Sequence, residues 1–261
     1  MLAHLRSTGH VVETLALQFR RAVLWNVTTG FLQPLLVLMG LGVGVGTLVD
    51  RNSGSTDSLG GLAYAAFVAP GLLATAAMTS GSTECMWPVL GRFKWDRTYH
   101  AMTATPITPT DLVLGQLAWL TIRLLGTTTA IAIVFACVPQ TRSSGLLVAA
   151  PAAVLCGLAM SMPVAWFSSR VERDNSFAAY QRFVVNPLFL FGGAFYPIRQ
   201  LPGWLQSVIR ITPLWHGVEI ARSATTHTLA AVDLAHAAYL AAWVVVATML
   251  CVVSFTRRLE R

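Results

Sequence analysis

Long apolar runs with almost no charge constrain this chain more than any other feature of its sequence. An α-helix needs about 20 apolar residues to cross the hydrocarbon core of a bilayer. Only 11% of the 261 residues are charged, whereas soluble domains carry about 25%. The chain is therefore predicted to be a membrane protein. The apolar runs are residues 27–49, 62–83, 112–138, 145–167, 183–198 and 237–255.

We predict an all-α membrane protein with six transmembrane helices in one domain over residues 1–261. The fifth run is short and holds Pro187, so its helix either borrows residues 177–181 or stops partway through the membrane. The sixth span is predicted to begin at residue 233, a few residues before its apolar run. The predicted spans are residues 27–49, 62–83, 112–138, 145–167, 183–198 and 233–255.

The positions of Lys and Arg give this arrangement an orientation. Twelve of the 18 lie before the first span, after the second, after the fourth and after the sixth. In a six-span chain these segments share one side, and an excess of Lys and Arg marks the cytoplasmic side. We therefore expect a multi-pass protein of a bacterial cell membrane with both termini in the cytoplasm. The net charge of +7 follows from this orientation and does not require a nucleic-acid partner.

The residues before the first span form an amphipathic pattern. Val11, Leu15 and Phe19 fall on one helical stripe, while Arg20 and Arg21 lie nearer the polar side. The pattern predicts a helix over residues 11–25 on the cytoplasmic membrane surface. The alternative is an extension of the first span, which would place two arginines in lipid at a high cost.

A short basic and aromatic segment follows the second span. Glu84 stands at the inner end of that span, and Pro88 can begin a short helix. We expect such a helix to form a compact cytoplasmic projection, followed by a third span capped by Thr110 or Asp111. The alternative is a solvated loop with interfacial anchors. The side chains expected to project are Arg92, Lys94, Trp95 and Arg97.

A second unusual segment follows the fifth span. Gly192, Gly193 and Pro197 interrupt the apolar run, and Trp204 lies within the apolar stretch of residues 201–214. This pattern predicts a pair of short re-entrant or interfacial helices on the outer side, where protein covers the irregular backbone. An ordinary external loop is the alternative.

Several stretches resemble the ABC-2 type permease family of ABC exporters. Within that family they are similar to the permeases of nodulation-factor (lipo-chitooligosaccharide) exporters and of antibiotic exporters. The likeness spans nearly the whole chain, and its most specific part lies after the fifth span. The matching stretches are "FVAPGLLATAAM" (67–78), Glu84, "TYHAMTATPITPTDLVLGQ" (98–116), "NPLFLFGGAFYPIRQLPGWL" (186–205) and "TPLWHGVEIAR" (212–222).

The resemblance implies particular partners. A coupling helix between spans two and three would dock on a separate ABC ATP-binding subunit, which would hold ATP and Mg because this chain has no Walker A pattern. A second permease, either a copy or a paralogue, would complete a dimer in membrane lipid. This chain itself would bind no cofactor or metal.

The resemblance also implies two groups of site residues. The group for coupling to the ATPase is Glu84, Arg92, Phe93, Lys94, Trp95, Arg97 and Tyr99. The group for the re-entrant segment or outer gate is Gly193, Phe195, Pro197, Pro202, Trp204 and Pro213. The intramembrane charge Arg123 is either a functional group at mid-depth or a side chain that reaches the interface. Glu84 is expected either to pair with Arg123 or to organise the coupling helix.

The expected function is that of a transport subunit and not an enzyme. The substrate would be amphiphilic, such as a drug or antibiotic, a lipid or a lipid-linked saccharide, moved out of the cytoplasm or inner leaflet. A passive channel or structural membrane protein is one alternative. An intramembrane enzyme is another, for which His216 and Glu219 are the candidate pair, but a metal site needs three or more ligands at suitable spacing.

Overall fold

The computed structural model describes residues 2–20 and 62–260, together with isolated positions between 32 and 46. Within this part of the chain the secondary structure is helical, without strands. A π-helical turn covers Gln181–Val185, and a 3-10 turn covers Ile198–Gln200. The helices are α1 (Leu2–Arg20), α2 (Tyr64–Cys85), α3 (Trp87–Lys94), α4 (Thr98–Thr103), α5 (Pro109–Cys137), α6 (Leu146–Ser168), α7 (Asn175–Tyr180), α8 (Asn186–Phe191), α9 (Gly203–Ile211), α10 (Pro213–Thr225) and α11 (Ala231–Leu259).

Four helical segments are long and apolar enough to cross a membrane. They are Tyr64–Lys94, which joins α2 to α3, and the helices α5, α6 and α11. These segments lie where the second, third, fourth and sixth spans were predicted. The predicted first span, 27–49, and the end of the predicted interface helix, 21–25, lie outside the continuously described residues.

The predicted fifth span takes a different form. Its helix begins at Asn175, passes through the π-helical turn and stops at Phe191. The helical part of the predicted span 183–198 ends at Phe191, because Gly193 adopts a φ of +84° that ends the helix. The helix does include residues 177–181, which was one of the two alternatives for this short run.

The helices meet at two ends of one bundle. At one end, Ser168 Oγ donates to the Cys85 carbonyl at 2.6 Å, and an Arg258 guanidinium nitrogen donates to the Ser169 carbonyl at 2.7 Å. This end holds the last turns of α2, α6 and α11, and we call it the basic end. At the opposite end, Ser143 Oγ donates to the Thr225 carbonyl at 2.8 Å, which joins the start of α6 to the end of α10.

Two local signals set how the chain enters and leaves the basic end. Pro88 lies in the first turn of α3, as its sequence position predicted. Thr108 is the N-cap of α5 and forms a reciprocal capping box with Asp111, whose backbone N–H donates to Thr108 Oγ1 at 3.2 Å. The predicted cap at Thr110 or Asp111 was therefore misplaced, although Asp111 supplies half of the box.

Candidate functional site

Glu84 lies in the last turn of α2 and is only 7% exposed. Its Oε1 accepts a hydrogen bond from Arg92 Nη2 at 3.4 Å, and its Oε2 pairs with Arg123 Nη1. A buried carboxylate is tolerated only when opposite charges and hydrogen bonds replace its water. Here α3 and α5 each supply one of those charges.

Arg92 connects Glu84 to two further helices. Besides Glu84, it donates from Nε to Gln18 Oε1 at 3.2 Å and from Nη1 to Gln116 Oε1 at 3.1 Å. One guanidinium on α3 thus contacts α1, α2 and α5. We call Glu84, Arg92, Arg123, Gln18 and Gln116 the Glu84 cluster.

The prediction that Arg92 would project from the surface was wrong. Arg92 is 5% exposed, because the buried carboxylate of Glu84 holds it on the inner face of α3. Phe93 and Tyr99 are buried beside it, with ring centroids 4.8 Å apart. Burial raises the pKa of the Tyr99 phenol, which donates to Gln116 Oε1 at 3.3 Å.

The remaining residues of the predicted coupling group face outward. Lys94, Trp95 and Arg97 are exposed, and Trp95 is 58% exposed. Arg97 has a φ of +48° at the turn between α3 and α4. The segment therefore has an inner face that enters the Glu84 cluster and an outer face that a partner can reach. We call Lys94, Trp95 and Arg97 the outward face.

Arg123 lies near the middle of α5, at the junction with α1 and α2. Its guanidinium lies 4.9 Å from the Phe19 ring centroid and pairs with Glu84. Glu84 was expected either to pair with Arg123 or to organise the coupling helix. The geometry permits both roles, because the carboxylate contacts Arg123 and the short helix α3 at once. Gln116 and Arg123 are seven residues apart on α5, so they share a helix face.

A cavity of about 580 Å³ opens onto this cluster. Glu84, Arg92 and Arg123 line it together with the aromatic rings of Phe19, Trp87 and Trp95. Charged groups and broad apolar surfaces thus face the same space. This combination suits a molecule with a polar and an apolar part.

Arg222 organises the predicted outer gate. It donates from Nη2 to the Gly193 carbonyl at 2.7 Å, and its guanidinium lies 4.0 Å from the Phe67 ring centroid. Phe195 is buried against Phe189, with ring centroids 5.1 Å apart. The irregular segment after α8 is therefore packed against α2 and α10.

The other predicted gate residues mark element boundaries. Pro197 precedes the 3-10 turn, Pro202 is the N-cap of α9, and Pro213 begins α10. Trp204 is 70% exposed on α9. The structure thus brings Gly193 and Phe195 into one packed site and leaves Trp204 outside it.

His216 and Glu219, the candidate pair of the enzyme alternative, have separate partners. Glu219 accepts from Arg222 Nη1 at 3.2 Å, whereas His216 Nδ1 lies 2.6 Å from His236 Nδ1 on α11. In the described part of the chain, no group of three or more His, Cys, Asp or Glu residues could hold a metal ion.

Sequence reasoning missed the two glutamines of the Glu84 cluster. Gln18 lies on the amphipathic N-terminal helix, and Gln116 is a polar amide near the start of an apolar run. A strongly polar side chain in such a run is a signal for a buried hydrogen bond. Its partner could not be identified, because Arg92 is distant from both glutamines in sequence.

Comparison with known proteins identifies similar chains. The model of the family described as "ABC-2 type transporter" matches residues 11–225. Nodulation protein J of Rhizobium meliloti (strain 1021) is 34% identical over 206 residues, which cover 79% of this chain and 76% of that protein. Nodulation protein J of Rhizobium leguminosarum bv. viciae is 31% identical over 245 residues, covering 94% and 92% of the two chains. The corresponding protein of Bradyrhizobium diazoefficiens is 30% identical over 245 residues, covering 94% and 91%.

Proposed function

Because this chain belongs to the ABC-2 type transporter family, we propose that it is the membrane permease subunit of an ATP-driven exporter. A separate ATP-binding subunit holds ATP and Mg and hydrolyses the nucleotide. Two permeases, either copies or paralogues, form the transport unit. The basic end faces the cytoplasm of a bacterial cell, in accord with the distribution of Lys and Arg.

The Glu84 cluster is the observation that carries this proposal. An exporter must convert a movement of its ATP-binding subunit into a movement of membrane helices. Arg92 ties the short helix α3 to α1, α2 and α5 through charged and polar contacts. A displacement of α3 that left Glu84 behind would remove one of the two cations that compensate this buried carboxylate. The cluster is therefore suited to couple the outward face to two candidate spans.

The outward face supplies the contact with the ATP-binding subunit. Lys94 and Arg97 offer two cations, and Trp95 offers a large apolar surface beside them. Trp and Arg are frequent among residues that dominate binding energy in protein interfaces. A partner that presents carboxylates around an apolar pocket would complement this face.

The substrate is proposed to be an amphiphile. The cavity at the Glu84 cluster places guanidinium groups next to Trp87, Trp95 and Phe19. Such walls accommodate an apolar chain and a polar head together. The relatives described above are named nodulation protein J, and the resemblance to nodulation-factor exporters favours a lipid-bearing saccharide as the first substrate to test. A drug or another lipid is the next substrate to test.

Co-purification tests the partner contact. The tagged chain is isolated from its native membranes in mild detergent, and vanadate-sensitive ATPase activity is measured in the sample. We expect an ATP-binding subunit to accompany the wild type, and the combined changes Lys94→Ala, Trp95→Ala and Arg97→Ala to release it.

The matched control is Arg199→Ala, Trp204→Ala and Arg210→Ala, which likewise removes two cations and one tryptophan from exposed positions remote from α3. This control should retain the subunit. A wild-type chain that purifies without any ATPase would contradict the exporter assignment and return a passive channel to consideration. Equal losses in both triple variants would contradict the docking role of the outward face.

A further inference from the structure

A second cavity opens at the basic end and shares no lining residue with the cavity at the Glu84 cluster. Its volume is about 600 Å³. We call it the basic cavity. Its walls come from α3, α4, the turn after α6 and the last turn of α11. The lining residues are Phe93, Lys94, Arg97, His100, Glu172 and Arg258.

The charge inside this cavity is unbalanced. Lys94, Arg97 and Arg258 are permanent cations, and Glu172 is the single carboxylate among the lining residues. The walls therefore carry a net charge of +2 when His100 is neutral. A site of this kind attracts an anion that can accept several hydrogen bonds.

Two of the cations are held in place and keep donors to spare. Lys94 Nζ donates to the Glu172 backbone carbonyl at 3.0 Å. Arg258 Nη1 donates to the carbonyls of Ser168 and Ser169, and its guanidinium lies 4.5 Å from the Phe93 ring centroid. A lysine has three donors and an arginine five, so both can still bind a ligand.

The cavity lies at the ends of two candidate membrane spans, and this position indicates the source of its ligand. α6 and α11 are candidate membrane spans, and both end at its walls, at Ser168 and Leu259. Basic pockets between membrane helices on the cytoplasmic side bind anionic lipid head groups.

We propose that the basic cavity binds the phosphate group of an anionic phospholipid, with Lys94, Arg97 and Arg258 as its cationic partners. Lys94 and Arg97 also belong to the outward face assigned to the ATP-binding subunit. Lipid binding is therefore measured on the permease alone, so that its failure and the failure of the proposed transport function are distinguishable.

The experiment is native mass spectrometry of the purified full-length chain with added phosphatidylglycerol or phosphatidylcholine of identical acyl chains. We expect the wild type to retain phosphatidylglycerol in preference to phosphatidylcholine. Each cation near a membrane surface contributes about fivefold to binding, so Lys94→Gln with Arg97→Gln should weaken phosphatidylglycerol binding about 25-fold.

Two further variants make the test specific. Arg173→Gln with Arg257→Gln removes two exposed arginines that do not line the cavity, and it should weaken phosphatidylglycerol binding less than the cavity pair does. Glu172→Gln removes the opposing carboxylate and leaves its backbone carbonyl available to Lys94. It should strengthen phosphatidylglycerol binding about fivefold, a gain that misfolding cannot produce.

Four results would overturn the proposal. The wild type could retain both lipids equally, or the control pair could lose as much binding as the cavity pair. Inorganic phosphate could displace phosphatidylglycerol at millimolar concentration, which would assign the cavity to a soluble anion. A loss of the ATP-binding subunit without any change in lipid binding would assign the two cations to that protein partner alone.

Discussion

Arg92 and Arg123 share the carboxylate of Glu84 but differ in their other contacts. Arg92 also donates to Gln18 and Gln116, whereas Arg123 also contacts the Phe19 ring. Loss of Arg92 would remove a hydrogen-bond donor from acceptors on α1, α2 and α5. The Gln116 oxygen would keep the Tyr99 hydroxyl, and Glu84 would keep Arg123. Loss of Arg123 would leave Glu84 with Arg92, and it would also remove a charge from the middle of a membrane helix.

We therefore predict that Arg92→Gln destabilises the chain more than Arg123→Gln does. Removing one partner from a buried ionic cluster costs about 3–5 kcal/mol, and Arg92→Gln should fall in that range. The check is thermal unfolding in detergent, followed by tryptophan fluorescence. The exposed control Arg173→Gln should change the free energy of unfolding by less than about 0.5 kcal/mol. Equal costs for the two cluster variants would show that Arg92 does not organise the cluster.

At the scale of elements, α2 and the irregular segment after α8 touch through their backbones. A Cβ on Gly71 would lie 2.6 Å from the Ala194 Cα. Real Cβ contacts are not this short, and backbone atoms cannot turn away as a side chain can. The glycine therefore permits the close approach that seats the segment against α2.

Gly71→Ala is predicted to lower the free energy of unfolding by about 1–3 kcal/mol, the usual cost of overpacking. The matched control is Gly126→Ala on α5, where an added Cβ meets no described atom within 4 Å. There alanine should be neutral or stabilising by up to about 1 kcal/mol, through its higher helix propensity. Thermal unfolding of both variants decides the matter, and an unperturbed Gly71→Ala variant would disprove the close contact.

The sequence predicted four of the helical segments well, because run length and lack of charge are local properties. The end of the fifth helix was predicted less well. Gly192 and Gly193 mark a break, but which of them takes the left-handed conformation depends on contacts with α10, such as the Arg222 bond to the Gly193 carbonyl. That contact joins residues on different helices and cannot be read from a local pattern.

At the scale of the whole molecule, the composition of the site was predictable and its geometry was not. The charge and aromatic content of residues 84–99 distinguished them from the spans on either side. Their division into a buried inner face and an exposed outward face depends on Glu84, Gln18 and Gln116, which reach Arg92 only after the helices pack. The cluster connects positions as far apart in sequence as Gln18 and Arg123.

The central claim is that the Glu84 cluster couples ATP hydrolysis to transport. Its most direct test is to measure both activities in the same proteoliposomes, with the permease and its ATP-binding subunit and a fluorescent lipo-chitooligosaccharide as the probe. Absence of ATP-dependent export by the wild type would contradict the substrate assignment. The decisive comparison is then between the wild type and Glu84→Gln.

Glu84→Gln leaves the outward face unchanged, so it should still insert and bind the ATP-binding subunit, although loss of the shared carboxylate lowers the stability of the permease by about 3–5 kcal/mol. We predict that it continues to hydrolyse ATP while export per ATP falls about 5- to 150-fold, the range for losing a coupling free energy of about 1–3 kcal/mol. If Glu84→Gln exports as much substrate per ATP hydrolysed as the wild type does, the account is contradicted and this carboxylate has no role in coupling.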